Sequence, residues 1–101
     1  MLVENVKGSS KVSEKPPYPY TSWLNYWEEY TGYRLTNYTV YPCPACGISV
    51  YRKGLEGCHV RKANNPFDSK WYIVPLCEKC NHSTEKLDIG NVPLAPIPSN
   101  Y

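Results

Sequence analysis

Aromatic residues recur at helical spacing in the first third of the chain. Four of them fall at i, i+3, i+4 and i+7 and so share one face of a helix: Trp23, Tyr26, Trp27 and Tyr30. Ser22 stands before the pattern as an N-cap residue, and Gly32 stands where a helix ends. The pattern predicts an N-terminal amphipathic helix with its aromatic face on a core. The alternatives are that this face stacks on nucleic-acid bases or that it contacts a protein partner.

Short runs of β-branched and aromatic residues predict four strands, at residues 36–41, 48–51, 57–60 and 71–74. The last two of these are predicted to form a hairpin, because residues 62–70 between them contain asparagine, proline and serine turn signals. Residues 78–87 are predicted to form a short helix that ends near Gly90. These elements indicate an α+β fold.

Both ends of the chain differ in composition from its middle. Residues 1–17 are mostly polar and end in prolines, which predicts a disordered tail. Residues 91–101 contain three prolines and are predicted to be an extended C-terminal tail. The packed domain is therefore predicted at residues 18–90, where the core alone would contribute only a few kcal/mol of stability.

Two Cys-x-x-Cys pairs supply a candidate metal site that would stabilise so small a core. Cys43 and Cys46 flank a tight turn that ends in Gly47, as in a zinc knuckle, and Cys77 and Cys80 lie where the last strand becomes a helix. Four thiolates from two turns form the usual structural site for Zn²⁺. The knuckle, hairpin and helix, in this order, describe a zinc treble clef. Iron is the alternative ion, since the spacing also resembles rubredoxin.

Composition and charge limit the cellular compartment and the partners that the chain can have. Five cysteines cannot all pair within one chain, and residues 1–7 lack the apolar region of a secretory signal. The longest apolar run is too short to cross a bilayer, so we expect a cytoplasmic protein without a membrane partner. Net charge is +2, but residues 52–86 hold seven Lys or Arg against four Asp or Glu, a local excess of +3. This excess would favour binding to a phosphate backbone. The alternative is that these side chains form an ordinary solvated surface.

The arrangement of residues around the cysteines resembles the recombination endonuclease VII branch of the HNH (ββα-metal) nucleases. The resemblance runs from Cys43 to about Lys86 and is carried by Gly57-Cys58-His59-Val60 and by residues 74–81, Val-Pro-Leu-Cys-Glu-Lys-Cys-Asn. It implies that His59 is a general base and that Asn81 helps to hold a catalytic Mg²⁺. It also implies DNA as a partner, with nucleic-acid contacts from the basic side chains around the hairpin and helix: Arg61, Lys62, Lys70 and Lys79.

The chain departs from this family's pattern beside the implied base. The family's acidic metal ligand is replaced by Cys58, whose soft sulfur is a poor ligand for Mg²⁺. Tyr72 stands where many HNH proteins have asparagine, and His82 lies one residue past the position of a possible further ligand. Simpler structural roles are a hydrogen-bonded His59 within the hairpin, a buried apolar Cys58 and a surface His82.

Two functions follow from these expectations. The first is a zinc-binding, HNH-endonuclease-like domain that binds nucleic acid, with Mg²⁺ needed only if the domain is catalytic and with hydrolysis not expected. The second is a zinc-stabilised protein-interaction module without catalysis.

Overall fold

The computed structural model describes residues 1–6, 15–65 and 67–98, which form a small α+β fold. The elements in chain order are β1 (Leu2–Asn5), α1 (Trp23–Thr31), β2 (Val40–Pro42), β3 (Ser49–Tyr51), β4 (Leu55–Lys62), β5 (Tyr72–Cys77), α2 (Glu78–Asn81), β6 (Leu87–Asp88) and β7 (Ala95–Pro96). A 3₁₀ turn, Arg52–Gly54, joins β3 to β4. In the described parts of the chain, no helix is both long and apolar enough to cross a bilayer.

Five of the strands form an antiparallel sheet in the order β6-β1-β4-β5-β7, and β2 and β3 form a separate two-stranded ribbon. The centre of the sheet is the β4–β5 hairpin, in which Cys58 pairs with Val74 and Val60 pairs with Tyr72. Every residue of β5 is buried, because helices and loops cover both faces of this strand. One buried cluster lies on the α2 side of the sheet, and another lies under α1.

Helix α1 begins and ends where its sequence signals lie. The Ser22 side chain accepts a hydrogen bond from the Asn25 backbone N–H, and Gly32 ends the helix with a left-handed φ of 83°. Three aromatic residues of this helix are buried in a cluster with Ile73 and Ala95: Trp23, Tyr26 and Trp27. The sheet therefore covers three of the four aromatic residues of this face, as the core role predicts, whereas Tyr30 is exposed. Contact with a protein partner stays a prediction.

The prediction of a disordered tail over residues 1–17 is wrong for its first residues. Leu2–Asn5 form β1, which lies between β4 and β6, and the Val3 side chain is completely buried. Helix α1 is therefore the second element of the chain, not the first. Residues 7–14 of the predicted tail lie outside the described residues. At the other end, Ala95–Pro96 form edge strand β7 with Ala95 fully buried, so this part of the predicted C-terminal tail belongs to the sheet.

Helix α2 is shorter than the predicted helix over residues 78–87. It ends at Asn81, because the Asn5 side-chain amide donates hydrogen bonds of 2.9 Å to the backbone carbonyls of Cys80 and Ser83. Further along, Leu87 pairs with Val3 in the sheet instead of continuing the helix. Both constraints come from β1, which is more than 70 residues away in sequence.

Helix α1 packs tightly against β4 at Gly57, where there is no room for a side chain. A Cβ atom on Gly57 would lie 2.5 Å from the Leu24 backbone nitrogen, so Gly57→Ala must push α1 away from β4. We expect a loss of about 3 kcal/mol in unfolding free energy, measured by chemical denaturation. Arg61→Ala, at an exposed position of the same strand, is the control and should cost less than about 1 kcal/mol. Equal stability of the two variants would contradict this packing.

Candidate metal centre

The first cysteine pair lies in the turn that joins β2 to β3. The Cys43 backbone N–H donates to the Ile48 carbonyl, and the Gly47 N–H donates to the Cys43 carbonyl, each at 2.8 Å. Gly47 has a φ of 80°, in the left-handed region that glycine adopts without strain. This turn therefore holds Cys43 and Cys46 in a fixed relation to each other.

The second pair lies where β5 becomes α2. Cys77 is the last residue of β5 and Cys80 lies within α2, so the pair is fixed to the most buried strand of the sheet. The Cys77 backbone N–H points at the Cys43 sulfur, 3.5 Å away, and so connects the two turns directly.

The four sulfur atoms of these turns lie within 4.8 Å of one another. The Sγ atoms of Cys46 and Cys77 are 3.7 Å apart, which is close to the edge of about 3.8 Å expected for a tetrahedron of sulfurs around Zn²⁺. Cys46 is exposed, and the other three cysteines are buried. Among the described residues this is the one group of three or more His, Cys, Asp or Glu side chains that can hold a metal ion.

The electrostatics of the four thiols favour a bound cation. Burial raises the pKa of the Cys43 thiol, but backbone N–H groups, with that of Cys77 contributing most, outweigh burial and lower this pKa to about 7. Burial raises the pKa values of the Cys77 and Cys80 thiols. Four thiolates this close together, three of them buried, would be strongly unfavourable without a positive charge between them, whereas a divalent metal ion would stabilise all four.

Cys58 lies on the face of β4 that packs toward α2, in the same buried cluster as Cys43 and Cys80. Its thiol donates to the Glu56 carbonyl oxygen at 3.2 Å, and burial strongly raises the pKa of this thiol. Cys58 is therefore a neutral, buried side chain, in agreement with the simpler of its two predicted roles.

His59, the next residue, projects to the opposite face of β4, toward α1. Its ring meets the Trp23 ring edge to face, with 5.0 Å between the centroids. The Nε2 atom is buried and has no hydrogen-bond partner within the described residues. Burial lowers the pKa of His59, so the imidazole is neutral near pH 7. The predicted hydrogen bond inside the hairpin is thus not made by this nitrogen.

A cleft of about 250 Å³ lies beside β4 and α2. Its lining includes Cys58, His59, Asn81 and His82, together with Asn5 from β1. His82 is exposed at the end of α2, as the simpler structural role predicts.

Asn81 has a partner that the sequence did not indicate. Its side-chain amide donates a short hydrogen bond to the Glu56 carboxylate. Glu56 lies two residues before Cys58, so the two side chains share one face of β4. Side chains along a β-strand alternate between its two faces. This alternation is the sequence signal that could have identified Glu56 as a neighbour of α2.

The four predicted nucleic-acid contacts differ in their surroundings. Arg61 pairs with Glu4 at 2.8 Å, and Lys62 pairs with Asp68 at 3.3 Å. Lys70 and Lys79 are exposed and form no ion pair with any described residue. Two of the four cations are therefore already neutralised by carboxylates of the chain itself.

The fold and this cluster define a small α+β protein with a four-cysteine group that can bind a metal ion. Comparisons with protein-family models, with curated proteins and with solved structures found no match. What the chain does must therefore be argued from its own residues.

Proposed function

We propose that this chain is a zinc-stabilised, HNH-like module that binds nucleic acid and does not hydrolyse it efficiently. The observation that carries the zinc part of the proposal is the four-sulfur cluster formed by the turns at Cys43–Cys46 and Cys77–Cys80. Nucleic-acid binding is proposed from the resemblance and from the exposed cations Lys70 and Lys79. Zn²⁺ bound by these four side chains would have no open coordination position, so its role would be structural.

Zinc is favoured over iron by the local structure of the second cysteine pair. In rubredoxin-like sites both pairs are expected to form similar turns, whereas here Cys80 lies inside α2. The order of elements also supports a treble clef, since the β2–β3 knuckle is followed by the β4–β5 hairpin and then by α2. The helix of this proposed treble clef is short, at four residues.

The absence of efficient hydrolysis follows from the surroundings of Cys58 and His59. One-metal phosphodiester hydrolysis needs a hard cation on the leaving oxygen and a base near the phosphate. The buried neutral thiol of Cys58 is unsuited to Mg²⁺, and the Nε2 atom of His59 is shielded from solvent.

A weak nuclease is the second candidate function, and one observation favours it. Cys58, His59, Asn81 and His82 line a single cleft, as the resemblance implies for a catalytic site. A plasmid-nicking assay with Mg²⁺ separates the two candidates.

We expect wild-type protein to nick plasmid at the background level. Cys58→Asp supplies the missing carboxylate and would raise Mg²⁺-dependent nicking only if the weak nuclease is the correct candidate, that is, if His59 and Asn81 act on one phosphate. The variant should lose stability in either case, because the new charge is buried. Cys58→Asp/His59→Ala should return nicking to background, since it lacks the implied base. Zinc content and circular dichroism must show that each variant keeps the metal and the fold.

Strong Mg²⁺-dependent nicking by wild type that is lost in His59→Ala would overturn the proposal in favour of an active enzyme. Background nicking by every folded variant would contradict the HNH-like role of these residues while leaving the zinc module in place.

A further inference from the structure

The β2–β3 ribbon has one face on which every side chain is exposed. Cα partners Val40 and Tyr51 lie opposite each other on this face, and so do Pro42 and Ser49. All four residues are exposed, with Val40 and Tyr51 each at 48%. The other face differs, because Tyr41 and Val50 are only partly exposed, and the Tyr41 hydroxyl accepts a hydrogen bond from the Thr36 N–H at 2.8 Å. The ribbon is therefore anchored on one side and open on the other.

The segment that carries this ribbon contains no acidic residue. Residues 30–55 have no Asp or Glu but include Arg34, Arg52 and Lys53. Arg52 pairs with Glu28, whereas Arg34 and Lys53 are exposed and form no ion pair with any described residue. Arg34 and Lys53 are therefore available to contact the phosphates of a polyanion.

Two exposed tyrosine side chains lie in the same segment as these cations. Tyr38 precedes β2 and is 91% exposed, and Tyr51 lies on the open face of the ribbon. Aromatic rings beside cations form the usual binding surface for single-stranded nucleic acid, since unpaired bases stack on the rings and phosphates contact the cations. A duplex offers no free base faces to such rings.

We propose that the open face of the β2–β3 ribbon binds single-stranded nucleic acid through Tyr38 and Tyr51, with Lys53 and Arg34 on the phosphates. This proposal rests on the nucleic-acid-binding function proposed above. It makes the ribbon the principal binding surface, in place of the basic side chains predicted around the β4–β5 hairpin and α2. Binding here would leave the cleft beside His59 free.

The experiment measures fluorescence anisotropy of the full, zinc-loaded chain with a labelled single-stranded oligothymidylate and with a labelled duplex. We expect tighter binding to the single strand than to the duplex. Tyr51→Ala and Tyr38→Ala should each weaken single-strand binding about five-fold or more, and Tyr51→Phe should retain binding because it keeps the ring. Lys53→Ala should weaken binding and reduce the salt slope by about 0.7.

Tyr18→Ala is the matched control, since Tyr18 is 96% exposed and lies outside residues 30–55. It should bind like wild type. Binding that is unchanged in both ribbon tyrosine variants but weakened by Lys70→Ala or Lys79→Ala would overturn this proposal and keep the proposed function. Absence of binding to either nucleic acid would overturn both and leave a protein-interaction module.

Discussion

Removal of the metal is expected to unfold the chain. Structural Zn²⁺ contributes roughly 10–16 kcal/mol in zinc-finger peptides, which equals or exceeds the whole stability of a typical small domain. The four cysteines connect the β2–β3 ribbon to the end of β5 and the start of α2, so loss of the ion frees both regions at once. Circular dichroism during titration with a strong chelator should show a cooperative loss of structure that added Zn²⁺ reverses.

Cys77→Ser should have the same effect as chelation, since it removes one of the four sulfurs. Cys58→Ala is the matched control, because Cys58 is buried in the same cluster but is not among the four grouped side chains. The control should lose some packing energy yet keep its full zinc content. A chelated protein with an unchanged spectrum and an unchanged unfolding midpoint would show that the metal is not needed for folding.

Deletion of residues 1–6 is expected to abolish the cooperative folding of the domain. It removes an internal strand of the sheet, the buried Val3 side chain and the Asn5 amide that binds the end of α2. The edge of β4 and the buried cluster on the α2 side would then be exposed to water. We expect the deletion variant to lose cooperative unfolding, as measured by urea denaturation followed by tryptophan fluorescence.

A point substitution tests the same strand with a smaller change. Val3→Asp places an unpaired carboxylate at a fully buried position and should destabilise the protein by several kcal/mol. Glu4→Gln, on the outer face of the same strand, removes only the ion pair with Arg61 and should cost less than about 1 kcal/mol. If the deletion and Val3→Asp both unfold at the wild-type urea concentration, β1 does not belong to the sheet.

The elements predicted well from sequence were those marked by local signals. Ser22, Gly32 and the aromatic spacing between them marked the nine-residue helix α1. The two Cys-x-x-Cys pairs predicted the grouping of four sulfurs, since each turn brings its own pair together. The β4–β5 hairpin followed from two strand-like runs with a polar loop between them.

The elements that were missed depend on contacts distant in sequence. Only Leu2 and Val3 are apolar in β1, and its partners on β4 and β6 lie more than 50 residues away, so no local pattern marks it. The early end of α2 has the same cause, since its carbonyls are bound by Asn5. The contact between Asn81 and Glu56 also depends on how the short helix lies against β4, which no local signal specifies.

X-ray absorption at the zinc edge, combined with elemental analysis of protein purified without added metal, shows directly whether the four cysteines bind zinc. We expect one Zn²⁺ per chain, surrounded by four sulfur atoms at about 2.3 Å. Cys77→Ser should lower this sulfur number, and Cys58→Ala should leave it at four. Nitrogen or oxygen ligands in the wild-type site, an iron–thiolate absorbance, or less than about half an equivalent of zinc would contradict the claim.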